Sequence, residues 1–354
     1  VHVPGSRDMH PASRGGFAAG NTDTKLPAAD KPVGWAAERA FGMRVKIIGS
    51  AAGGGFPQWN CNYRLSRAAR AGMPGVHSRT QSSVAASADG KGWVLFNASP
   101  DIRQQIAQAP ELQPAADAPL RSTPIRAVVL TNADVDHVAG LLSLRERQPF
   151  AIYASAQVLA TLEANSIFNV LDPSIVPRRL LAPMEEVAIR GADGHPTGVV
   201  VGSFPVPGKV ALYLEQGGDP GADFSSDTGD TIGVRISGAD GRGAVFYVPG
   251  CARIDATLRM RLADAACLLF DGTVYTDDEM ITARVGQKTG ARMGHIAMSG
   301  EAGSIAGLAD VKIGRRIFIH INNTNPVLDE NSAEHAAIKA AGWEVAADGM
   351  EMEF

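Results

Sequence analysis

Residues 130–141 read LTNADVDHVAGL. Asp134, Asp136 and His137 follow directly on the apolar run Ala127, Val128, Val129, Leu130. A strand that ends in a polar loop delivers such side chains to the edge of a sheet. Carboxylate and imidazole together are ordinary ligands for a divalent first-row metal. A polar turn capping the next helix, with Asp136 as N-cap, would use the same residues for structure alone. The D-x-D-H spacing by itself supports either reading.

Three more segments place reactive side chains where strands should end. In RRIFIHINNTNPVL, His320 closes an apolar run and precedes Asn322, Asn323, Thr324, Asn325 and Pro326. It is either a satisfied core histidine or a site residue at the mouth of a buried strand. In RMGHIAMSGE, His295 stands just before a stretch with helical character that Ser299 could cap. In LLFDGT, Asp271 leaves a buried strand, a position that suits an active-site acid and a turn-former equally.

The elements that must position these residues follow from periodicity. Residues 44–49 form an apolar strand entering a glycine loop at 53–55. Residues 82–87 and 93–97 suit a hairpin turning at Asp89 and Gly90. Strands are also expected at 125–131, 199–204, 231–236, 244–248, 267–270 and 316–321. Helices are expected at 102–108, 138–147, 256–264, 299–308 and 332–341, the last stopped by Gly342. This alternation fits two sheets sandwiched between helices. Residues 1–42 carry Gly5, Pro11, Gly15, Gly16, Gly20, Pro27 and Pro32 with no apolar period, and they read as a disordered extension. They also lack the pattern of a signal peptide. The folded domain is expected over 43–354.

The chain has 354 residues, 45% hydrophobic and 20% charged, with formal net charge -4. That balance predicts a globular protein with no basic face for nucleic acid. No apolar run approaches the roughly 18 residues of a membrane span. The three scattered cysteines, Cys61, Cys251 and Cys267, do not make a disulfide framework and suit the reducing cytosol.

Taken together, GSAAGGGFPQWNCN, RTQSSVA, NASPDIRQQI, LTNADVDHVAGLL, VPGKV, YVPGCAR, LLFDGT, KTGARMGHI and HINNTNPVL resemble one family. It is the pyrroloquinoline quinone (PQQ) biosynthesis protein B family, PqqB, within the metallo-β-lactamase superfamily. The resemblance runs from about Met43 to the C-terminus. It implies an α/β fold, the metallo-β-lactamase-like αββα sandwich, and a cytoplasmic role in making the cofactor. It implies a non-haem iron(II) oxygenase, with O₂ as co-substrate, that hydroxylates the tyrosine ring of a cross-linked Glu–Tyr dipeptide. The alternative within the family is a carrier for export of the quinone or its precursor. Other PQQ biosynthesis proteins, and a second copy of the chain, are the further partners it suggests.

The resemblance also assigns residues. In the superfamily one metal takes the two leading histidines of the loop and a later one. Here those places hold Asn132, Asp134 and, near VPGKV, no histidine, while the bridging aspartate is replaced around Gly250. The other metal's ligands survive as Asp136, His137 and His320. Two imidazoles and a carboxylate match the facial triad of non-haem iron(II) oxygenases, although Asp134, Asp271 or His295 could ligate instead. His295, Asp271 and Asp134 are then expected around the reacting atoms, and Asn132, Asn322 and Asn323 around substrate. One departure stands out. The family's C-x-C-x-x-C becomes Cys61, Tyr63 and Ser66, and one thiolate makes a poor structural zinc site.

Overall fold

The computed structural model describes residues 42–209, 211–214, 229–241 and 243–354, with the side chain of residue 212 left aside. The expected extension, except Gly42, lies outside the described residues. The first sheet contains β1 (Arg44–Gly49), β2 (Ser83–Ser87), β3 (Trp93–Phe96), β4 (Ile125–Val129), β5 (Ala151–Ala154) and β6 (Arg178–Leu180). The second contains β7 (Glu186–Arg190), β8 (Pro196–Pro205), β9 (Ile232–Gly238), β10 (Val245–Val248), β11 (Ala265–Asp271), β12 (Ile313–Ile319) and β13 (Glu344–Val345). A last strand, β14 (Glu351–Glu353), returns to pair antiparallel with β1. The strand orders are β14-β1-β2-β3-β4-β5-β6 and β13-β12-β11-β10-β9-β8-β7.

Both sheets are covered on both faces, so their strands are continuous apolar runs whose alternate residues enter different cores. Val45, Ile47, Ala127, Val129, Ile317 and Ile319 meet between the sheets. Ile48, Val128 and Leu130 point outward, onto Ile102, Val158 and Leu162 from the helices Ile102–Gln108 and Ala156–Ala164. Phe318 and Phe270 point outward from the second sheet, onto Leu65, Leu258 and Ile338 of three further helices. Phe318 stacks on Trp343 with ring centroids 4.0 Å apart. The layers are therefore αββα. A one-residue slip in any central strand would exchange its two cores.

Two expected helices differ. The 138–147 stretch is one α turn, Val135–Val138, followed by a 3-10 helix, Ala139–Leu144. Gly140 is the reason for the tight path. Its N–H donates to the Ala98 carbonyl, and a Cβ there would lie 2.1 Å from the Ser99 carbonyl oxygen. The 299–308 stretch is helical only at Ser304–Gly307. Ser299 does not cap it, because its hydroxyl donates to the Tyr275 carbonyl. The late helix is Ala333–Ala340, capped by Ser332 and ended by Gly342 at φ 78°. Among the described residues, no helix is long and apolar enough to cross a membrane.

Candidate metal centre

The pairs β3–β4–β5 and β10–β11–β12 are parallel, so their C-terminal ends open on one side of each sheet. In such sheets, sites form in the crevice beyond the carboxyl ends of the strands. The two edges are tied together there. Ala51, just past β1, bridges both Gln81 and Ile321. Ala52 donates its N–H to the Ile321 carbonyl, and Ile321 donates its own to Ser50. This holds the end of β1 against the end of β12, and the loop after β4 meets β12 through Asp136 and His320.

Asp136 and His137 lie on the single α turn after β4. Asp134, not Asp136, occupies the N-cap position, and its backbone is extended there. Asp136 is thus free of the capping role, and its Oδ2 sits 3.0 Å from His320 Nε2 and 3.7 Å from His137 Nε2. His320 has φ 60°, left-handed backbone that costs a non-glycine residue about 1–3 kcal/mol. That turn swings its ring from the strand end into the centre. His137 and His320 meet edge to face at 5.5 Å.

Electrostatics follow burial and these contacts. Burial opposes a charge on Asp136, but the neighbouring His137 charge and the His320 hydrogen bond outweigh it and hold its carboxyl well below the usual range. Burial lowers the His137 imidazole, favouring the neutral ligand form. Burial also opposes a charged His320, yet the Asp136 hydrogen bond and charge raise it. His137 Nε2 is buried without a hydrogen-bond partner. A buried polar atom left unpaired costs about 1–3 kcal/mol, and a cation beside Asp136 removes that cost. The donor set therefore fits a single divalent metal held by Asp136, His137 and His320, whose donor atoms lie within 4.8 Å of one another.

A second set, Asp271, His295 and His320, meets the same spacing but differs in saturation. Asp271, fully buried at the end of β11, is already contacted by four donors. Cys251 N–H (2.9 Å) and His295 Nδ1 (2.8 Å) reach Oδ2, while Thr273 N–H (3.0 Å) and the Thr273 hydroxyl (2.7 Å) reach Oδ1. In this set Asp271 and His295 form a hydrogen-bonded dyad beside the Asp136–His137–His320 cluster. His295 enters it after the turn Gly290–Met293, which Gly294 ends at φ 85°, and its ring stacks on His320 at 5.2 Å. A Cβ on Gly250 would be 3.6 Å from His295 Cε1, so this glycine faces the imidazole.

The other expected residues lie around this core. Asp134 is half-buried, two residues before Asp136. Asn132 accepts the Asp134 N–H on Oδ1. Asn322 donates to Thr324 Oγ1, and Asn323 donates to Gln58 and accepts from Cys61 Sγ. Cys61 is thereby joined to the site by a hydrogen bond. Tyr63 is partly buried, and Ser66 is fully buried in a helix.

Sequence reasoning missed the threonines. Thr131 Oγ1 lies 3.3 Å from His137 Nδ1 and is held by Asn97, which in turn donates to the Tyr247 hydroxyl. Thr273 Oγ1 touches Asp271, His295 and His320. Its signal was its place two residues after Asp271 at a strand end. Glu279 was missed too. It is a buried carboxyl accepting from Thr324 and Tyr275, and its burial pushes it up to about 7.

Residues 92–321 match the beta-lactamase superfamily domain. The chain is 54% identical over 310 residues to coenzyme PQQ synthesis protein B of Methylobacterium nodulans, covering 88% of this chain and 99% of that one. It is 51% identical over 306 residues to the protein of that name from Gluconacetobacter diazotrophicus, covering 86% and 98%. The crystal structure of Zn(2+)-bound PqqB from Methylobacterium extorquens superposes with TM-score 0.82 at 51% identity, covering 88% of this chain and 100% of that one. A diphosphatase of the PhnP family, 18% identical with TM-score 0.59, shares the fold.

Proposed function

This chain belongs to the coenzyme PQQ synthesis protein B family of the metallo-β-lactamase superfamily, and from that premise we propose that it is a metal-dependent enzyme of PQQ biosynthesis, specifically an iron(II) oxygenase. Its substrate on this reading is the cross-linked Glu–Tyr intermediate, hydroxylated on the tyrosine ring.

One observation carries the reading. Among the described residues, one half-buried carboxylate and two buried imidazoles converge on one point, with His137 Nε2 unpartnered. On the family resemblance, the positions a second metal would use hold Asn132 and Asp134, with no histidine near VPGKV and the bridging aspartate replaced around Gly250. A two-metal hydrolase needs both ions to clamp nucleophile and leaving group. A lone facial triad leaves room for substrate and O₂ beside one ion. Iron(II) would supply O₂ activation there. Zinc in the Methylobacterium extorquens relative occupies a protein of the same family, and a His₂–carboxylate set accepts either metal.

The chain's own groups supply the rest. Asp271 holds the His295 ring by Nδ1, which leaves Nε2 to exchange a proton with the ring hydroxyl. Asp134, half-buried at the N-cap two residues before Asp136, serves the same proton traffic. Asn132 has committed Oδ1 internally and keeps its amide nitrogen for substrate, while Asn322 and Asn323 form the polar wall behind His320.

The test is anaerobic reconstitution with iron(II), followed by O₂ uptake and product mass in the presence of the Glu–Tyr substrate. Iron-dependent uptake with a product heavier by whole oxygens is expected. Tight binding of the quinone or its precursor with no O₂ uptake would establish the carrier role instead.

A further inference from the structure

The Thr273 hydroxyl has one proton and four polar neighbours. They are Asp271 Oδ1 at 2.7 Å, His320 Nδ1 at 2.8 Å, the His320 carbonyl oxygen at 3.0 Å and His295 Nδ1 at 3.1 Å. Thr273, Asp271 and His320 are all buried, so water does not rearrange this balance. Both oxygens are acceptors and cannot donate back. If the proton went to His320 Nδ1, the Thr273 oxygen would face two acceptor oxygens lone pair to lone pair. Two backbone N–H groups converge on Asp271, one on each oxygen, as they do on a carboxylate. The proton therefore goes to oxygen, and His320 Nδ1 must be the donor to Thr273.

We propose that Thr273 is a positioning residue that keeps the proton on His320 Nδ1, so that Nε2, which donates to Asp136 in the metal-free site, is the nitrogen that gives up its proton to a metal. The same hydroxyl ties His320 to the Asp271–His295 dyad, so one side chain sets the ligand and the acid–base pair in register. The proposal rests on the assignment of Asp136, His137 and His320 as ligands. A histidine ligand whose second nitrogen is held by an acceptor is locked in ring orientation and gains basicity, and losing such a partner typically weakens metal binding or activity about 10–100-fold.

Two measurements on the full chain test this without turnover. In zinc(II)-loaded protein labelled with ¹⁵N-histidine, His320 is expected to carry its proton on Nδ1 and the metal on Nε2. Metal on Nδ1 would overturn the proposal. In cobalt(II) titrations followed by the d–d absorption, Thr273→Val should bind about 10–100-fold more weakly than the parent, and Thr273→Ser should restore most of the affinity. Thr273→Val binding cobalt(II) as tightly as the parent would also overturn it. His320→Ala separates the two levels. If it keeps cobalt(II), the ligand assignment itself fails; if it loses cobalt(II) while Thr273→Val does not, only the role of Thr273 fails.

Discussion

At the residue scale, the two imidazoles of the centre and the one beside it have different work. His137 ends in an unpartnered Nε2, His320 faces Asp136, and His295 is bound to Asp271. His137→Ala and His320→Ala are therefore expected to lose iron in equilibrium dialysis. His295→Ala should keep iron and lose O₂ uptake with substrate. If His320→Ala holds iron as tightly as the parent while His295→Ala does not, the two histidines have exchanged roles. Cys61 donates to Asn323 and stands without the other two thiols of the family pattern, Tyr63 and Ser66 being in their places. Cys61→Ala should leave tightly held metal unchanged, as read by elemental analysis. Zinc that disappears in this variant would place a thiolate site there after all.

At the element scale, short turns carry the site, and small changes in them propagate. Gly140 lets the 3-10 helix pass against Ala98, and the Ala98 N–H is bound in turn to the His137 carbonyl. Gly140→Ala places a Cβ into the Ser99 carbonyl, and overpacking of this kind costs about 1–3 kcal/mol. A lowered melting temperature together with weaker metal binding is expected; a melting curve identical to the parent's would refute the account. Glu279 joins the turn Glu279–Thr282 to the loop behind His320 through Thr324. Its ordinary value is 4.5 and burial raises it to about 7 in the fold. The unfolded chain thus ionises it first. Its contribution is full below pH 4.5, declines as pH rises through 7, and is level above that. Urea midpoints should fall between about pH 5 and 8, and Glu279→Gln should flatten that slope. An unchanged slope in the variant would assign the titration elsewhere.

At the scale of the whole molecule, the described residues fall within one compact unit. The relatives match 310 of 354 positions while spanning nearly all of their own length. Limited proteolysis is expected to trim about the first 40 residues and leave a stable core of roughly 310. An early cut inside the core, with the start intact, would contradict this.

Apolar period and strand-end chemistry carried much of this in the sequence alone. The runs at 125–131 and 316–321 became β4 and β12, each delivering its reactive residues just past its end. The αββα layering was legible because a strand buried on both faces must be continuously apolar. Short edge strands such as β6, β13 and β14 escaped because two or three residues carry no period. The candidate ligands Asp136, His137 and His320 were legible in D-H and in the strand-end histidine, and the fold brings them together. The choice between capping and ligation at Asp136 was not, since a carboxylate in a first turn serves either purpose. Only the tertiary structure removed the capping role, which falls to Asp134, and carried His320 across 184 positions of chain to within 3.0 Å of the Asp136 carboxylate. The contacts of the Thr273 hydroxyl with Asp271, His295 and His320 likewise appear only in the fold. The place of Thr273 two residues after Asp271 was a weak signal, because the contacts form only when the strand ends and His295 close around it.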